Sequence, residues 1–291
     1  MAKVVDYLNL VKFSHTIFAM PFALLSFTFA VMGLPEESQS WWWILLCVQV
    51  LLCMVFARNV AMGFNRWADR FIDADNPRTA EREIPAGKIS PKQAVWFVAV
   101  NAAWFIFVAA TINPLCGWLS PVALAVVMFY SYCKRFTSLA HLVLGLSLGI
   151  APVGATIAVL GEITLESLVL AIGVMCWSAG FDIIYALQDA EFDRQRGLRS
   201  IPSRFSARNS LIISALLHIV SISFIVLYTT YQPQSWLAWL GCAMFALIVA
   251  SEHILVTPTK QRNIGIAFGT FNALASVAYG VALTLNLLIF S

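Results

Sequence analysis

The sequence has little charge. Asp, Glu, Lys and Arg together make up 11% of the 291 residues, whereas soluble domains usually contain about 25%. Hydrophobic residues make up 60%, so the chain has too little polar surface to cover itself in water. The composition excludes an ordinary soluble domain and predicts a protein that folds in a lipid bilayer.

Cysteine is also sparse. The six cysteines lie at wide intervals, and no two of them form a C-x-x-C pair. This spacing argues against a disulfide framework and against a zinc site, and it is typical of thiols that act as small packing groups. The six are Cys47, Cys53, Cys116, Cys133, Cys176 and Cys242.

The amino-terminal region lacks the layout of a cleavable leader. The apolar stretch 13–31 is long enough to span a bilayer, and no small-residue cleavage site before a polar domain follows it. We therefore expect this stretch to be the first membrane span.

Apolar runs close to the roughly 20 residues needed to cross a bilayer recur along the chain. Short polar or Gly/Pro segments separate them, so the sequence predicts an all-α, polytopic protein of about nine helices around a central cavity. The fourth run is the shortest, which makes eight spans the first alternative. The runs are 13–33, 42–62, 93–112, 117–132, 140–160, 166–186, 210–230, 235–256 and 264–290.

The basic residues support this count, because Lys and Arg collect in cytoplasmic loops. All 18 of them fall before the first span, in every second connection or, for Arg58, near the end of the second run just before such a connection, and the alternate connections contain none. The pattern predicts a cytoplasmic amino terminus. The basic groups are Lys3 and Lys12, the segment 58–92, Lys134 and Arg135, the segment 194–208, and Lys260 and Arg262.

The long polar connections lie on the same predicted face. We expect residues 1–291 to form one transmembrane domain, with loops 63–92 and 182–209 near the cytoplasmic side and the cavity opening there. Function is therefore expected at that face.

The first of these loops contains a row of polar residues with helical spacing. Asn65, Asp69 and Asp73 follow one another at intervals of four residues, and Arg58 precedes Asn65 by seven. If the second helix continues through this segment, these four positions lie within about 80° of one another. They then form one polar face.

A second row begins inside the sixth span. Asp182, Asp189 and Asp193 fall within about 40° on the same helical arithmetic. Several carboxylates that face one another near a membrane repel and are costly, so they are normally paired, bound to metal or peripheral. Mg²⁺ suits them, because it takes carboxylate, water and phosphate oxygens as ligands. The surplus of nearby Arg and Lys would suit a diphosphate. The alternative is that both rows are solvated loop faces with ion pairs between neighbours.

At these residues the sequence resembles the UbiA family of membrane prenyltransferases. That family carries N-D-x-x-D-x-x-x-D after its second helix and D-x-x-x-D after its sixth. Residues 78–87 resemble its R-T-x-x-R-P-I-P-x-G, and residues 130–145 resemble its Y-x-x-x-K-R-x-T…LVLG. Arg66 stands where an Asp usually follows the Asn, and Glu83 stands where a Pro is usual.

The resemblance implies Mg²⁺-dependent transfer of a polyprenyl group from polyprenyl diphosphate to an aromatic acceptor in ubiquinone or menaquinone biosynthesis. It implies no organic cofactor. Metal ligands would be Asn65, Asp69, Asp73, Asp189 and Asp193, and these Asp residues together with Asp182 and Tyr185 would be catalytic. Substrate-binding residues would be Arg58, Asn65, Arg78, Arg82, Lys134, Arg135, Arg199 and Ser200.

The acceptor has more than one candidate. The segment Asp182–Asp189 is similar to the 4-hydroxybenzoate polyprenyltransferase branch, whereas the start Phe13-Ser-His-Thr16 is similar to enzymes that prenylate 1,4-dihydroxy-6-naphthoate. Haem or chlorophyllide acceptors are rivals within the family, and an ion-coupled transporter is a rival outside it. The expected setting is a bacterial inner membrane. No nucleic-acid partner is expected, and the sequence leaves the oligomeric state open.

Several single residues also have two interpretations. Arg58 is either half of an ion pair with Asp182 or Glu252, or a partner of a substrate anion. Tyr185 is a packed aromatic, a carboxylate-orienting group or a neighbour of the reacting carbon. Each basic residue at the inner face could be a membrane anchor. The four histidines, His15, His141, His218 and His253, show no metal-binding spacing and favour helix packing or an interfacial position.

Overall fold

The computed structural model of the protein describes residues 3–11, 18–35, 42–259 and 261–290. Its regular elements are helical. In chain order they are α1 (Val4–Leu10), α2 (Met20–Met32), α3 (Trp42–Ala68), α4 (Arg70–Asp75), α5 (Pro91–Ile112), α6 (Pro114–Cys133), α7 (Ala140–Leu160), α8 (Leu165–Ala186), α9 (Ala190–Gln195), α10 (Ile201–Arg204), α11 (Ala207–Thr230), α12 (Trp236–Leu255), α13 (Ile264–Ile266) and α14 (Asn272–Phe290).

Eight helical segments in this part of the chain are long and apolar enough to cross a membrane. Each overlaps one of the predicted runs from the second to the ninth. The shortest predicted run is present as α6, with 20 residues. Within the first predicted run α2 has 13 residues, and the neighbouring residues 12–17 lie outside the described ranges. The all-helical, multi-pass prediction is confirmed, whereas the count of nine and the orientation of the termini stay predictions.

The helix starts follow from local sequence chemistry. Ser90 and Asn113 precede prolines at the first positions of α5 and α6, and their side chains accept hydrogen bonds from backbone N–H groups of the first turn. The Asn113 amide also donates to the Ile157 carbonyl at the end of α7, over 2.8 Å. One side chain therefore caps one helix and ties it to another at the predicted outer end.

The helix α8 lies at the centre of the bundle and is the most deeply buried of the membrane-crossing segments. It packs between α7 and α11. On its side towards α2, α12 and α14, an aromatic cluster fills the core. The cluster consists of Phe22, Trp177, Phe181, Phe245 and Tyr279. This core holds α8 fixed while its carboxyl-terminal end carries the second acidic row.

Two glycines let α7 and α8 approach closely. A Cβ atom at Gly145 would lie 2.3 Å from the Met175 carbonyl oxygen, and one at Gly149 would lie 2.8 Å from that of Ala171. Both distances are shorter than van der Waals contact. Membrane helices use small residues in this way because packing, rather than expulsion of water, drives their association. Gly145 is also the glycine of the L-V-L-G motif noted above.

Candidate active site

A cavity of about 980 Å³ lies among α3, α5, α6, α7 and α8. One end of it is lined by the two acidic rows and by basic side chains. The rest of its wall is apolar and extends to Ile112, Cys116 and Ile163, at the opposite ends of the helices. The cavity therefore consists of a charged chamber at one end and a long apolar channel.

The first row reaches the cavity because helical geometry continues across a break. The helix α3 ends at Ala68 and α4 begins at Arg70, but the Asp69 N–H donates to the Asn65 carbonyl over 2.9 Å. The Asp73 N–H likewise donates to the Asp69 carbonyl over 2.7 Å. Asn65, Asp69 and Asp73 consequently all line the cavity, and the Asn65 amide donates to Asp69 over 3.2 Å.

The second row enters from the end of α8. Asp182 lies in its penultimate turn, Asp189 ends the 3₁₀ turn Leu187–Asp189, and Asp193 lies in α9. All three are largely buried and line the same cavity as the first row. The helical spacing read from the sequence therefore brings all five aspartates to one chamber.

The loop that follows the first row contacts the second row through residues 76 and 78. The Asn76 amide donates to Asp189 over 3.1 Å. The Arg78 guanidinium forms a bidentate ion pair with the same carboxylate. Its Nε lies 2.8 Å from Oδ1, and its Nη2 donates to Oδ2. Its Nη1 donates to the Tyr185 hydroxyl over 3.0 Å. Tyr185 also packs against Phe268 in a tilted arrangement, with ring centroids 4.2 Å apart, so it is both a packed aromatic and a hydrogen-bond partner.

Other cations face the remaining aspartates. Arg82 pairs with Asp73 at 2.6 Å, and Lys134 lies 3.5 Å from Asp193. Arg135 lies 3.2 Å from Asp69 and also donates to the Ala68 carbonyl.

Arg66 and Glu83, the departures from the family pattern, line the same chamber and are both buried. The Arg66 Nη1 atom lies 4.0 Å from Asp73 Oδ2. A positive group therefore stands beside Asp73 where the family usually has a further carboxylate.

The electrostatic environment keeps the cations of the loops charged. Burial would lower the pKa of Arg78, but its bonds to Asp189 and Tyr185 raise that pKa overall. Burial likewise opposes the charge on Lys134, yet nearby carboxylates, Asp193 foremost, raise its pKa. The Asp69 carboxyl differs, because burial raises its pKa and the hydrogen bond from Arg135 does not cancel this effect. Additional positive charge near Asp69 would therefore stabilise its ionised carboxylate.

Most of the predicted site residues meet at the cavity, including Arg58. Arg199 and Ser200 have different contacts. Arg199 donates to the Phe136 carbonyl over 2.6 Å, and neither residue is among the described residues that line the cavity. Their part in substrate binding stays a prediction. The segment 13–16 and His15 lie outside the described ranges.

Sequence reasoning missed two residues of this site. Asn76 follows the first acidic row by three positions, directly before a proline, and only the fold places it against Asp189. For His141 the sequence favours helix packing or an interfacial position. It is fully buried, and its Nδ1 lies 2.7 Å from Asp182 Oδ2. Asp182 therefore has a histidine partner, which the spacing of neither residue signalled.

The oxygen-rich chamber suits a divalent cation. Carboxylates are the ligands that Mg²⁺ prefers, and Asp73 Oδ2 is buried without a hydrogen-bond partner. Within the described ranges, no group of three His, Cys, Asp or Glu forms a metal site by itself. Water and phosphate oxygens usually supply the other Mg²⁺ ligands. The residues present fit an ion that is shared with a phosphorylated substrate.

These features define a class of protein: a helical membrane enzyme with a charged chamber at the end of an apolar channel. The chain belongs to the UbiA prenyltransferase family, whose model matches residues 23–290. It is therefore a prenyltransferase and a multi-pass integral membrane protein. The family resemblance read from the motifs is confirmed.

Relatives and solved structures agree with this assignment. The chain is 31% identical to the 4-hydroxybenzoate octaprenyltransferase of Polynucleobacter asymbioticus, over 79% of this chain and 80% of the relative. It is 29% identical to that of Vibrio atlanticus, over 91% and 89%.

The fold is similar to the apo structure of a UbiA homologue from Aeropyrum pernix K1, with a TM-score of 0.78 and 26% identity over 94% of this chain and 97% of that one. A UbiA homologue from Archaeoglobus fulgidus, solved with GPP and Mg²⁺, shares the fold with a TM-score of 0.68 and 20% identity over 96% and 99%.

Proposed function

We propose that the protein transfers a polyprenyl group from polyprenyl diphosphate to an aromatic carboxylate, either 4-hydroxybenzoate or 1,4-dihydroxy-6-naphthoate, with Mg²⁺ as the metal. The observation that carries this proposal is the meeting of two aspartate rows and several cations at one end of an apolar cavity. Such a cavity suits a molecule with an anionic head and a long hydrocarbon tail.

The charge balance of the chamber supports a metal-bridged diphosphate. Among the residues that the structure describes, seven carboxylates and six Arg or Lys side chains line the cavity, so this lining carries a slight negative excess. A diphosphate ester would add about three more negative charges. Positive charge must therefore enter with the substrate. Asp69, Asp73, Asp189 and Asp193, with Asn65, would hold Mg²⁺, which would supply charge stabilisation to the departing diphosphate.

The chain's own residues would do the rest of the work. Arg78, Arg82, Lys134 and Arg135 are placed to bind phosphate oxygens and to stabilise charge as the C–O bond to the prenyl group breaks. The acceptor ring then forms the new C–C bond and loses a proton. The apolar wall keeps water away from the allylic cation.

The acceptor proposal rests on two observations of different weight. Relatives named 4-hydroxybenzoate octaprenyltransferase cover most of the chain, which favours a benzoate. The first-helix segment 13–16 favours the naphthoate. Arg58, on the cavity wall within α3, is placed to pair with the carboxylate that both acceptors share. Another acceptor of the family, haem or chlorophyllide, is the alternative.

We also propose that residues 1–291 act as one domain in a bacterial inner membrane, with the amino terminus and the charged chamber on the cytoplasmic side. The distribution of all 18 basic residues and the bacterial sources of the relatives support this orientation.

The first test is turnover by purified protein with Mg²⁺, a polyprenyl diphosphate and each acceptor, followed by mass spectrometry of the product. We expect Asp69→Asn and Asp189→Asn each to lower kcat by about 100-fold or more, because each removes a charge that the transition state requires. Asp75→Asn is the matched control. Asp75 lies in α4 beside the first row, but it pairs with Arg196 at 2.6 Å and is half exposed. Variants of Asp69 and Asp189 that retain full activity would contradict the proposal.

A further inference from the structure

His141 bridges two parts of the site. It lies in the first turn of α7, with none of its surface exposed. One ring nitrogen, Nδ1, is 2.7 Å from Asp182 Oδ2. The other, Nε2, is 3.3 Å from the backbone nitrogen of Ile201. A buried histidine therefore contacts an aspartate of the cavity on one side and the second loop on the other.

These contacts determine which nitrogen carries the proton. The Ile201 N–H can only donate, so Nε2 must accept and has no proton of its own. A neutral imidazole then carries its proton on Nδ1, and this N–H donates to Asp182. The ring is thus a donor to the carboxylate and an acceptor from the loop, and neither contact can be reversed without losing the other.

The loop contact extends to a second aspartate. Ile201 is the first residue of α10, and Ser200 before it caps that helix. The Ser200 hydroxyl also donates to Asp193 Oδ2 over 2.9 Å. His141 consequently connects Asp182 with the segment that holds Asp193, although the three residues come from three different helices or loops.

We propose that His141 is a positioning residue for the transfer reaction. Its Nδ1–H group fixes the Asp182 carboxylate, and its Nε2 accepts from the Ile201 N–H, which keeps the ring in the form that donates to Asp182. The inference rests on the proposed function, because it assigns the orientation of Asp182 to the reaction at that site. Asp182 lines the cavity, whereas His141 acts through it and does not touch substrate.

Two amide substitutions separate the contacts of the ring. The side-chain nitrogen of asparagine can take the place of Nδ1, so His141→Asn keeps the donor to Asp182. The longer glutamine places its oxygen near Nε2, so His141→Gln keeps the acceptor for Ile201 and loses that donor. His218→Asn is the control for removing a buried histidine. His218 bonds to His253 and to the Trp177 carbonyl, away from the residues that line the cavity.

The experiment measures kcat, and KM for the prenyl diphosphate, for these variants and for Asp182→Asn. We expect His141→Asn and His218→Asn to stay within about threefold of the unaltered protein, and His141→Gln to lose about 10- to 100-fold in kcat, as is usual when the group that orients a ligand is removed. In the Asp182→Asn background, His141→Gln should cause no further loss. Equal losses in His141→Asn and His141→Gln, or an additive double variant, would overturn the proposal.

A spectroscopic reading tests the same inference without turnover. The ¹⁵N spectrum of the histidine side chains should show His141 as the Nδ1–H form, and the His141 signals should shift in Asp182→Asn. A proton on Nε2 would refute the bridge even if the variants fail to fold. Absence of product with the unaltered protein and every acceptor would instead count against the proposed function, while the ¹⁵N result would still decide the bridge.

Discussion

Arg78 serves two side chains at once. Its guanidinium contacts both oxygens of Asp189 and the Tyr185 hydroxyl, and its carbon lies 5.4 Å from the centre of the Tyr185 ring. A planar fork with several N–H groups can satisfy all these contacts together, whereas an ammonium group cannot. The residue is therefore suited to hold the loop after the first acidic row against the second row before substrate arrives.

Arg78→Lys should lower activity although it keeps the charge. Loss of one hydrogen bond to a charged group costs about 1.5–3 kcal/mol, which corresponds to roughly 10- to 100-fold in rate. Steady-state kinetics with saturating Mg²⁺ would measure this loss. The control is Arg196→Lys, because Arg196 is half exposed and its pair with Asp75 joins one nitrogen to one oxygen. If both lysine variants behave alike, the fork geometry has no role.

The chemistry of the site was easier to predict than its pairings. Spacing of four residues was enough to place Asp69 beside Asp73, and Asp189 beside Asp193, because a helix turn sets those neighbours. The partner of each carboxylate comes from elsewhere in the chain: Asp182 bonds to His141, 41 positions away, and Asp189 bonds to Asn76, 113 positions away. One sequence contains no periodic signal for such contacts.

Among the helices, the contact between α7 and α8 depends on two glycines, which have no Cβ atom. Gly145 and Gly149 face backbone carbonyls of α8 at distances that allow no Cβ atom. Another glycine of α7, Gly154, has no atom within 4 Å of its Cβ position. The same helix therefore offers a crowded glycine and an uncrowded one for comparison.

Gly145→Ala should destabilise the protein, whereas Gly154→Ala should be neutral or slightly stabilising. The added methyl group at position 145 would overlap the Met175 carbonyl oxygen, and overpacking of this kind costs about 1–3 kcal/mol. At position 154 the change only replaces glycine by a better helix former. Thermal unfolding in detergent measures both. Equal unfolding temperatures for the two variants would show that the helices can separate without cost.

Helix boundaries were predictable where an apolar run ends abruptly in polar sequence. The ends of α7 and α8 agree closely with the predicted runs, because apolar sequence stops there. The helix α3 instead continues six residues beyond the predicted limit of 62 and carries Asn65 and Arg66. Hydropathy alone ends the span where polar residues recur, because it carries no information on whether those residues face water or an internal cavity.

At the scale of the whole molecule, charge and apolar volume occupy opposite parts of one cavity. The carboxylates are paired with arginines and a lysine, and these pairs must rearrange if a metal ion and a diphosphate bind among them. Binding of the complete ligand should therefore couple to Mg²⁺. Neither Mg²⁺ alone nor the diphosphate alone would balance the net charge of the chamber.

A prenyl diphosphate should raise the unfolding temperature only when Mg²⁺ is present. A ligand at 100 times its Kd stabilises the folded state by about 2.7 kcal/mol. Differential scanning fluorimetry with and without EDTA would measure the shift. The corresponding prenyl alcohol is the control, because it has the tail without the diphosphate. Equal stabilisation by the diphosphate in EDTA would contradict a metal-bridged head group.

The close approach of α7 and α8 has a consequence for catalysis that no side chain in the chamber reveals. Gly145 lies one turn after His141 on α7, and Met175 lies two turns before Asp182 on α8, so the same antiparallel contact includes the histidine–aspartate bond. A methyl group at Gly145 would push α7 and α8 apart at this contact. Reaction rate could then fall through a change in spacing alone, with every reacting group still in the protein.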